Sequence, residues 1–255
     1  MAANPFAARN PFALGAAALA ERPQETVLRR ADVVFVIDAS ASMAPLWKHL
    51  QQAGDIIPEL LDDACAASGL DATDVRLRFI TFQDIFMQDA ALACSPFYTF
   101  PKDVKAAREF LSGVAPSGRG GPCTSGLEAL MIALHSPWRR DKGVRHRIAV
   151  ITDSAAYLPD DPLRKFDQHY DSIMGCYLPD PARDIPGQMS DLRRLWRDGV
   201  GSIDNWGSRI LLYTVSEAPW MQMVLWPRVT PRQEEASKLH SLQLGTLLRD
   251  ILSTL

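Results

Sequence analysis

Ala31-Asp32-Val33-Val34-Phe35-Val36-Ile37-Asp38-Ala39-Ser40-Ala41-Ser42-Met43 is the stretch on which the reading of this chain turns. Val33 to Ile37 is an unbroken apolar, mostly β-branched run, the pattern of a central strand buried on both faces of a parallel sheet. It ends in Asp38, Ser40 and Ser42, three oxygen-bearing side chains on alternate positions, and a helix-like segment follows from about Pro45. In open α/β sheets, ligands bind where strands end and helices begin. Three hard oxygen groups at such a point suit a hard cation such as magnesium better than zinc. The competing reading is that Ser40 and Ser42 cap the next helix while Asp38 hydrogen-bonds the loop. These residues alone leave both readings open.

Two downstream pieces bear on the choice. Gly120-Gly121-Pro122-Cys123-Thr124-Ser125-Gly126-Leu127-Glu128 places a threonine in a Gly-rich loop just before an amphipathic helix. Ile148-Ala149-Val150-Ile151-Thr152-Asp153 is a second buried-strand pattern ending in an acid. With these pieces in this order, the chain resembles the von Willebrand factor type A (vWA) family. The metal-ion-dependent adhesion site (MIDAS) of that family is written D-x-S-x-S, then T, then D. Asp38, Ser40, Ser42, Thr124 and Asp153 match all five positions, and the resemblance runs from roughly Asp32 to the C-terminus. Two departures touch the rim of the site: Ser154 replaces the usual glycine after the last aspartate, and Pro122-Cys123 separates the glycines from the threonine.

The resemblance implies an α/β fold, a Rossmann-like doubly wound and mostly parallel sheet with one antiparallel edge strand. It also implies a site for Mg2+, or for Mn2+ or Ca2+, held by Asp38, Ser40, Ser42, Thr124 and Asp153. Mostly neutral inner ligands would leave the cation electrophilic, with one position open to an Asp or Glu carboxylate of a partner protein. Bacterial vWA proteins act with kinase, phosphatase or AAA+ ATPase partners, and these are the partner classes expected by analogy.

At 255 residues the chain suits one α/β domain with additions. Residues 1–30 read as an N-terminal extension carrying Asn4-Pro5-Phe6 and Asn10-Pro11-Phe12, two proline-initiated turns. Residues 31–255 read as the vWA domain, with an insertion at about 155–205. A formal net charge of −3 offers no general attraction to nucleic acid or an anionic membrane. No apolar stretch reaches the roughly 20 residues of a transmembrane helix. Cys65, Cys94, Cys123 and Cys176 are scattered with no C-x-x-C pair, which fits reduced thiols and a cytoplasmic location. Abundant Ala and the preference for Arg over Lys point to a bacterial source.

Leu46 to Ala67 reads as one helix, Val75 to Phe82 as a second strand, and Ile85 to Phe100 as holding an edge strand. Lys102 to Gly113 and Ser125 to His135 read as helices and Arg209 to Val215 as a strand. Trp220 to Val229 reads as a last strand and Pro231 to Leu255 as a closing helix. The insertion contains Tyr157, Phe166, Tyr170 and Tyr177, expected as aromatic anchors for a partner; the alternative is that they pack the insertion's own small core.

No catalytic set emerges, so the chain is read as a binding module and not an enzyme. His49, His135, His146, His169 and His240 show no metalloprotease spacing and read as ordinary surface or hydrogen-bonding residues. Phosphotransferases of the haloacid dehalogenase type also place an aspartate after their first strand. They need a second carboxylate two residues later, where this chain has Ser40. The main alternative function is a regulatory or scaffold subunit with a structural metal and recognition by the insertion; a metal-dependent phosphohydrolase ranks third.

Overall fold

The computed structural model describes residues 30–88, 90–118, 123–167, 169–200, 203, 207–232 and 235–255. The Asn-Pro-Phe repeats, Gly120, Gly121, Pro122 and the side chain of Phe166 lie outside the described residues. Strand β1 (Arg30–Asp38) sits in the middle of the main sheet. Its apolar run alternates between two cores: Val33, Phe35 and Ile37 enter one, Val34 and Val36 the other, all fully buried. Burying side chains of this size on both faces contributes about 1.5–3 kcal/mol each, which explains why the run has no polar alternation.

Around β1 the chain adds β2 (Val75–Phe82), then β3 (Leu92–Cys94), β4 (Tyr98–Thr99), β5 (Cys123–Thr124), β6 (Val144–Thr152), β7 (Ala155–Ala156), β8 (Ser208–Thr214) and β9 (Val229–Pro231). The main sheet runs in the order β3-β2-β1-β6-β8-β9, with β4 also on β2. β1, β2, β6, β8 and β9 are parallel to their neighbours, whereas β3 and β4 are antiparallel to β2. The fold is therefore α/β with a mostly parallel, doubly wound sheet and an antiparallel edge. Since β2 and β6 flank β1, the strand order reverses between β1 and β6, at the ends occupied by Asp38 and Asp153. Crevices at such reversals are where open α/β sheets take ligands.

Helices α1 (Ala44–Ala53), α2 (Ile57–Ser68), α3 (Val104–Gly113), α10 (Ala236–His240) and α11 (Leu244–Ser253) cover the first face. The opposite face carries α4 (Gly126–Leu134), the short insertion helices α5 (Leu163–Phe166), α6 (Tyr170–Gly175), α7 (Pro181–Asp184) and α8 (Met189–Asp198), and α9 (Trp220–Met223). No helix among the described residues is long and apolar enough to cross a membrane.

Four elements differ from the sequence reading. The expected helix over Leu46 to Ala67 is interrupted by a 3-10 turn at Gly54–Ile56, because Pro58 has no N–H and its ring would meet the carbonyl four residues back. The edge strand is split: Pro96 cannot donate to the ladder, and Ser95 substitutes by accepting the Phe79 N–H on its hydroxyl at 2.9 Å. Trp220–Met223 is one helical turn burying Trp220 and Met223, and the last strand starts only at Val229. The closing helix is two helices, and the break at 241–243 lets Leu239 and the Leu244, Leu247, Leu248 and Ile251 stripe reach one core.

Away from the strand ends that meet at the reversal, Asp32 is fully buried between two arginines. Arg76 donates to it from Nε at 2.9 Å and Arg139 from its backbone N–H at 2.9 Å and Nε at 2.8 Å. Burial works to raise the Asp32 carboxyl, but the two arginines outweigh it and hold the group below the usual carboxylate range.

Candidate metal centre

The alternation Asp38, Ser40, Ser42 survives the end of β1 because the backbone there is held from three sides. Trp47, one turn into α1, donates its indole N–H to the Asp38 carbonyl at 2.8 Å. The Ala39 N–H donates to the Phe82 carbonyl at 2.7 Å, and Gln83 Nε2 donates to the Ala39 carbonyl at 2.7 Å. Ser40 forms a bridge with Ser117 in the loop leading to β5.

The capping half of the alternative fails on geometry, whereas its other half holds, with Asp38 bonding the loop at the Ser40 N–H. Ser40 precedes the 3-10 turn Ala41–Met43, yet its side chain makes no cap hydrogen bond; α1 has Met43 at its cap position and a proline in its first turn. The two hydroxyls turn to each other instead, with Ser40 Oγ 3.1 Å from Ser42 Oγ. Ser42 Oγ then donates to Asp153 Oδ1 at 3.0 Å. Asp38 closes the group from below: its Oδ1 accepts the Ser40 N–H at 2.7 Å and its Oδ2 accepts the Thr152 hydroxyl at 2.6 Å.

Four of the five predicted ligands thus form one connected set. Thr124 makes its side-chain hydrogen bond elsewhere. β5 pairs with β7 just beyond Asp153, and the Thr124 hydroxyl is committed to the Ala155 carbonyl at 3.2 Å. Ser154, at the position where the motif expects glycine, adds a hydroxyl 3.2 Å from Asp153 Oδ1. Gly118, in the loop before β5, takes a left-handed backbone at φ 91°.

The electrostatics favour a cation. Asp38 has no exposed surface, and burial pushes its carboxyl up to about 6; the charge of Asp153 pushes the same way, against the hydrogen bonds from Thr152 and Ser40. Two carboxylates therefore converge where one of them is reluctant to ionise without compensation. Among the described residues no group of three or more His, Cys, Asp and Glu side chains is arranged around a common metal position, so a cation here has to use the hydroxyls. Magnesium–oxygen bonds of about 2.0–2.1 Å at right angles separate neighbouring ligand oxygens by about 3.0 Å. The Ser40–Ser42 and Ser42–Asp153 spacings match that edge. The same spacing serves a hydrogen bond, so these oxygens would face an ion with little movement once the hydroxyl hydrogens turn away from it.

The described tyrosines of the insertion make contacts to the body of the domain. Tyr170 is buried, stacks on Phe86 at 5.8 Å and donates to Glu128 Oε1 at 3.2 Å. Tyr157 meets Phe86 edge-on at 5.0 Å and donates to Asp84 at 2.9 Å, while Tyr177 donates to the Leu92 carbonyl at 2.6 Å. These three side chains fix the insertion to the body, and Tyr170 has no surface to offer a partner. Arg164, paired with the buried Glu128, adds a charged clasp from Nε at 2.7 Å.

One contact escaped the sequence reading. His240 Nε2 donates to Asp153 Oδ2 at 2.8 Å. It is the last residue of α10, 87 positions beyond its partner, and no local spacing links the two. Thr152 was more accessible, since it directly precedes the predicted ligand on the same strand.

No protein-family model matches the chain, and no curated protein matches its sequence. Solved structures with a similar fold include proximal thread matrix protein 1 from the mussel byssus, at 13% identity and a TM-score of 0.45, covering 88% of this chain and 48% of that one. A second structure of that protein, with a zinc-occupied MIDAS motif, gives 15% identity and a TM-score of 0.45 over 89% of this chain and 46% of that one. The pilus adhesin SpaC from Lactobacillus rhamnosus GG gives 14% identity and a TM-score of 0.49, covering 89% of this chain and 31% of that one. This chain spans half or less of the length of each. Likeness at this level assigns no activity, and the reading of the centre rests on the chain's own residues.

Proposed function

We propose that this chain is a metal-dependent protein-interaction module of the vWA type. Ser40, Ser42 and Thr124 supply neutral oxygens, Asp38 and Asp153 supply charge, and Mg2+ is the resident ion. When bound, the ion supplies an electrophilic coordination position for an Asp or Glu carboxylate of a partner protein. The observation that carries this reading is that Ser40 and Ser42 leave the adjoining helices uncapped and turn toward each other and Asp153.

The residues have distinct tasks in this reading. Trp47 and Gln83 hold the loop backbone so that both hydroxyls face one point. Thr152 holds Asp38 in place from below.

The test uses immobilised peptides carrying a single Asp or Glu, with Asn and Gln controls, in Mg2+ and in EDTA. Binding of the acidic peptides alone, lost in EDTA and in Ser42→Ala, is the expected result. A protein that binds Mg2+ yet ignores every carboxylate would point instead to a structural metal, with recognition by the insertion. Turnover of a generic phosphoester with Mg2+ would overturn the non-enzymatic reading.

A further inference from the structure

Three arginines meet at the end of the sheet remote from Asp38 and Asp153. Arg145 and Arg147 lie two apart on β6, so their side chains leave the same face. Arg209 stands opposite Arg147 on β8. All three are on the α11 side, since Ala149, Ile151, Leu211 and Tyr213 continue these rows into the core that α11 covers. Arg147 is buried. It donates from Nε to the Thr254 hydroxyl at 2.9 Å, from Nη1 to the His146 and Gly207 carbonyls at 3.0 and 2.7 Å, and from Nη2 to the Thr254 carbonyl. Every one of these partners is a neutral oxygen. By contrast, Arg76 and Arg139 face the carboxylate of Asp32, and Arg164 faces that of Glu128. Burial pushes Arg147 down to about 9, and the charges of Arg209 and Arg145 push the same way. A buried charge facing only like charges is costly unless an opposite charge joins it.

A cavity of about 240 Å3 opens at this cluster, lined by Arg145, Arg147, Ser208, Arg209, Arg228 and Thr254. The Ser208 hydroxyl is buried and has no hydrogen-bond partner among the described residues. We propose that this cavity is an anion site that takes a phosphate group, free or as the monoester of a small molecule. Guanidinium forks match phosphate oxygens two at a time, and a dianion offsets more than one of the gathered charges. The volume falls below the about 300–1,000 Å3 of pockets for drug-sized ligands, so the ligand is small. The competing role is structural, with Arg147 tying Thr254 to β6. That task needs Arg147 alone, and Arg145 and Arg209 only make it harder by repulsion.

Arg145 and Arg209 are exposed, so Arg145→Gln and Arg209→Gln should fold, which circular dichroism checks. Thermal unfolding of wild type and both variants is followed in EDTA, which takes the metal centre out of the comparison. Sodium phosphate, phenyl phosphate and sodium chloride are compared at matched ionic strength, and calorimetry gives the phosphate affinities. Both phosphates should raise the wild-type Tm above its value in chloride, and each variant should lose at least about tenfold in phosphate affinity. In chloride, Arg209→Gln should melt above wild type, because a repulsive charge beside Arg147 is gone. Tighter binding of inorganic phosphate supports a free anion as the ligand, and tighter binding of phenyl phosphate supports a monoester. Equal stabilisation by chloride, unchanged affinity in both variants, or a lower Tm of Arg209→Gln in chloride would overturn the proposal. Phosphate binding seen only after a Gly-Ser-Gly tail is added beyond Leu255 would assign the guanidiniums to the chain's own carboxylate and overturn it as well.

Discussion

Ser42 Oγ lies 3.0 Å from Asp153 Oδ1 across 111 residues of sequence. The sheet makes this contact: β1 and β6 are parallel neighbours, with Ile37 opposite Ile151, so the residues just past both strand ends converge. A hydroxyl and a carboxylate that read as two unconnected loop residues become adjacent donors because parallel strands end together.

Charge balance around Asp32 gives the first prediction. Asp32→Asn leaves Arg76 and Arg139 facing a neutral group in a buried position, and breaking such a set costs about 3–5 kcal/mol. The folded carboxyl titrates below its usual value of 3.8, so its contribution is complete above pH about 3.8 and is lost as the pH falls through the folded value. Urea unfolding of both proteins from pH 7 downward should show a gap that is constant to about pH 4 and then narrows. A gap that widens in acid would contradict the assignment.

Close approach of backbone to an indole supplies the second. A Cβ on Gly126 would sit 2.7 Å from Trp220 Cζ2, and overpacking of this kind costs about 1–3 kcal/mol. Trp220 also donates to the Ser154 carbonyl at 2.9 Å, next to the candidate ligand Asp153. Gly126→Ala should therefore lower stability and shift the tryptophan fluorescence. Unchanged stability and emission would mean that the ring has room to move.

The third concerns how the insertion is held. Arg164→Ala leaves Glu128 buried without its cation, an expected loss of about 3–5 kcal/mol. Part of that loss should appear as local opening, because Tyr170 uses the same carboxylate oxygen. Hydrogen exchange should rise over residues 157–178 while magnesium affinity stays within about twofold of wild type, since no centre residue contacts Arg164. Protection unchanged in that segment would show that the clasp does not hold the insertion.

The sheet and most of the centre were legible because both follow from period and order. The Val33–Ile37 run and the alternation over Val75 to Phe82 marked strands that the structure reproduces, the second with identical bounds. Short elements were not legible. Trp220 and Met223, three apart, bury themselves on one helical turn, but so few residues cannot separate a helical period from a strand. Reading Pro231 to Leu255 as one helix hid the break at 241–243, and with it the placement of His240 beside Asp153. The tyrosines of the insertion were recognisable as aromatic, but a ring that packs inward has the same sequence as one that faces a partner.

Calorimetric titration of Mg2+ into metal-stripped wild type, Ser42→Ala and Asp38→Ala is the most direct test of the centre itself. Burial already penalises the charge of Asp38 in the folded chain, so its removal should leave the fold intact by circular dichroism. The account predicts one site in the wild type, weaker binding in Ser42→Ala, and still weaker binding in Asp38→Ala, where a charge and not a neutral oxygen is lost. Equal affinity in all three proteins, or no binding in the wild type, would contradict it.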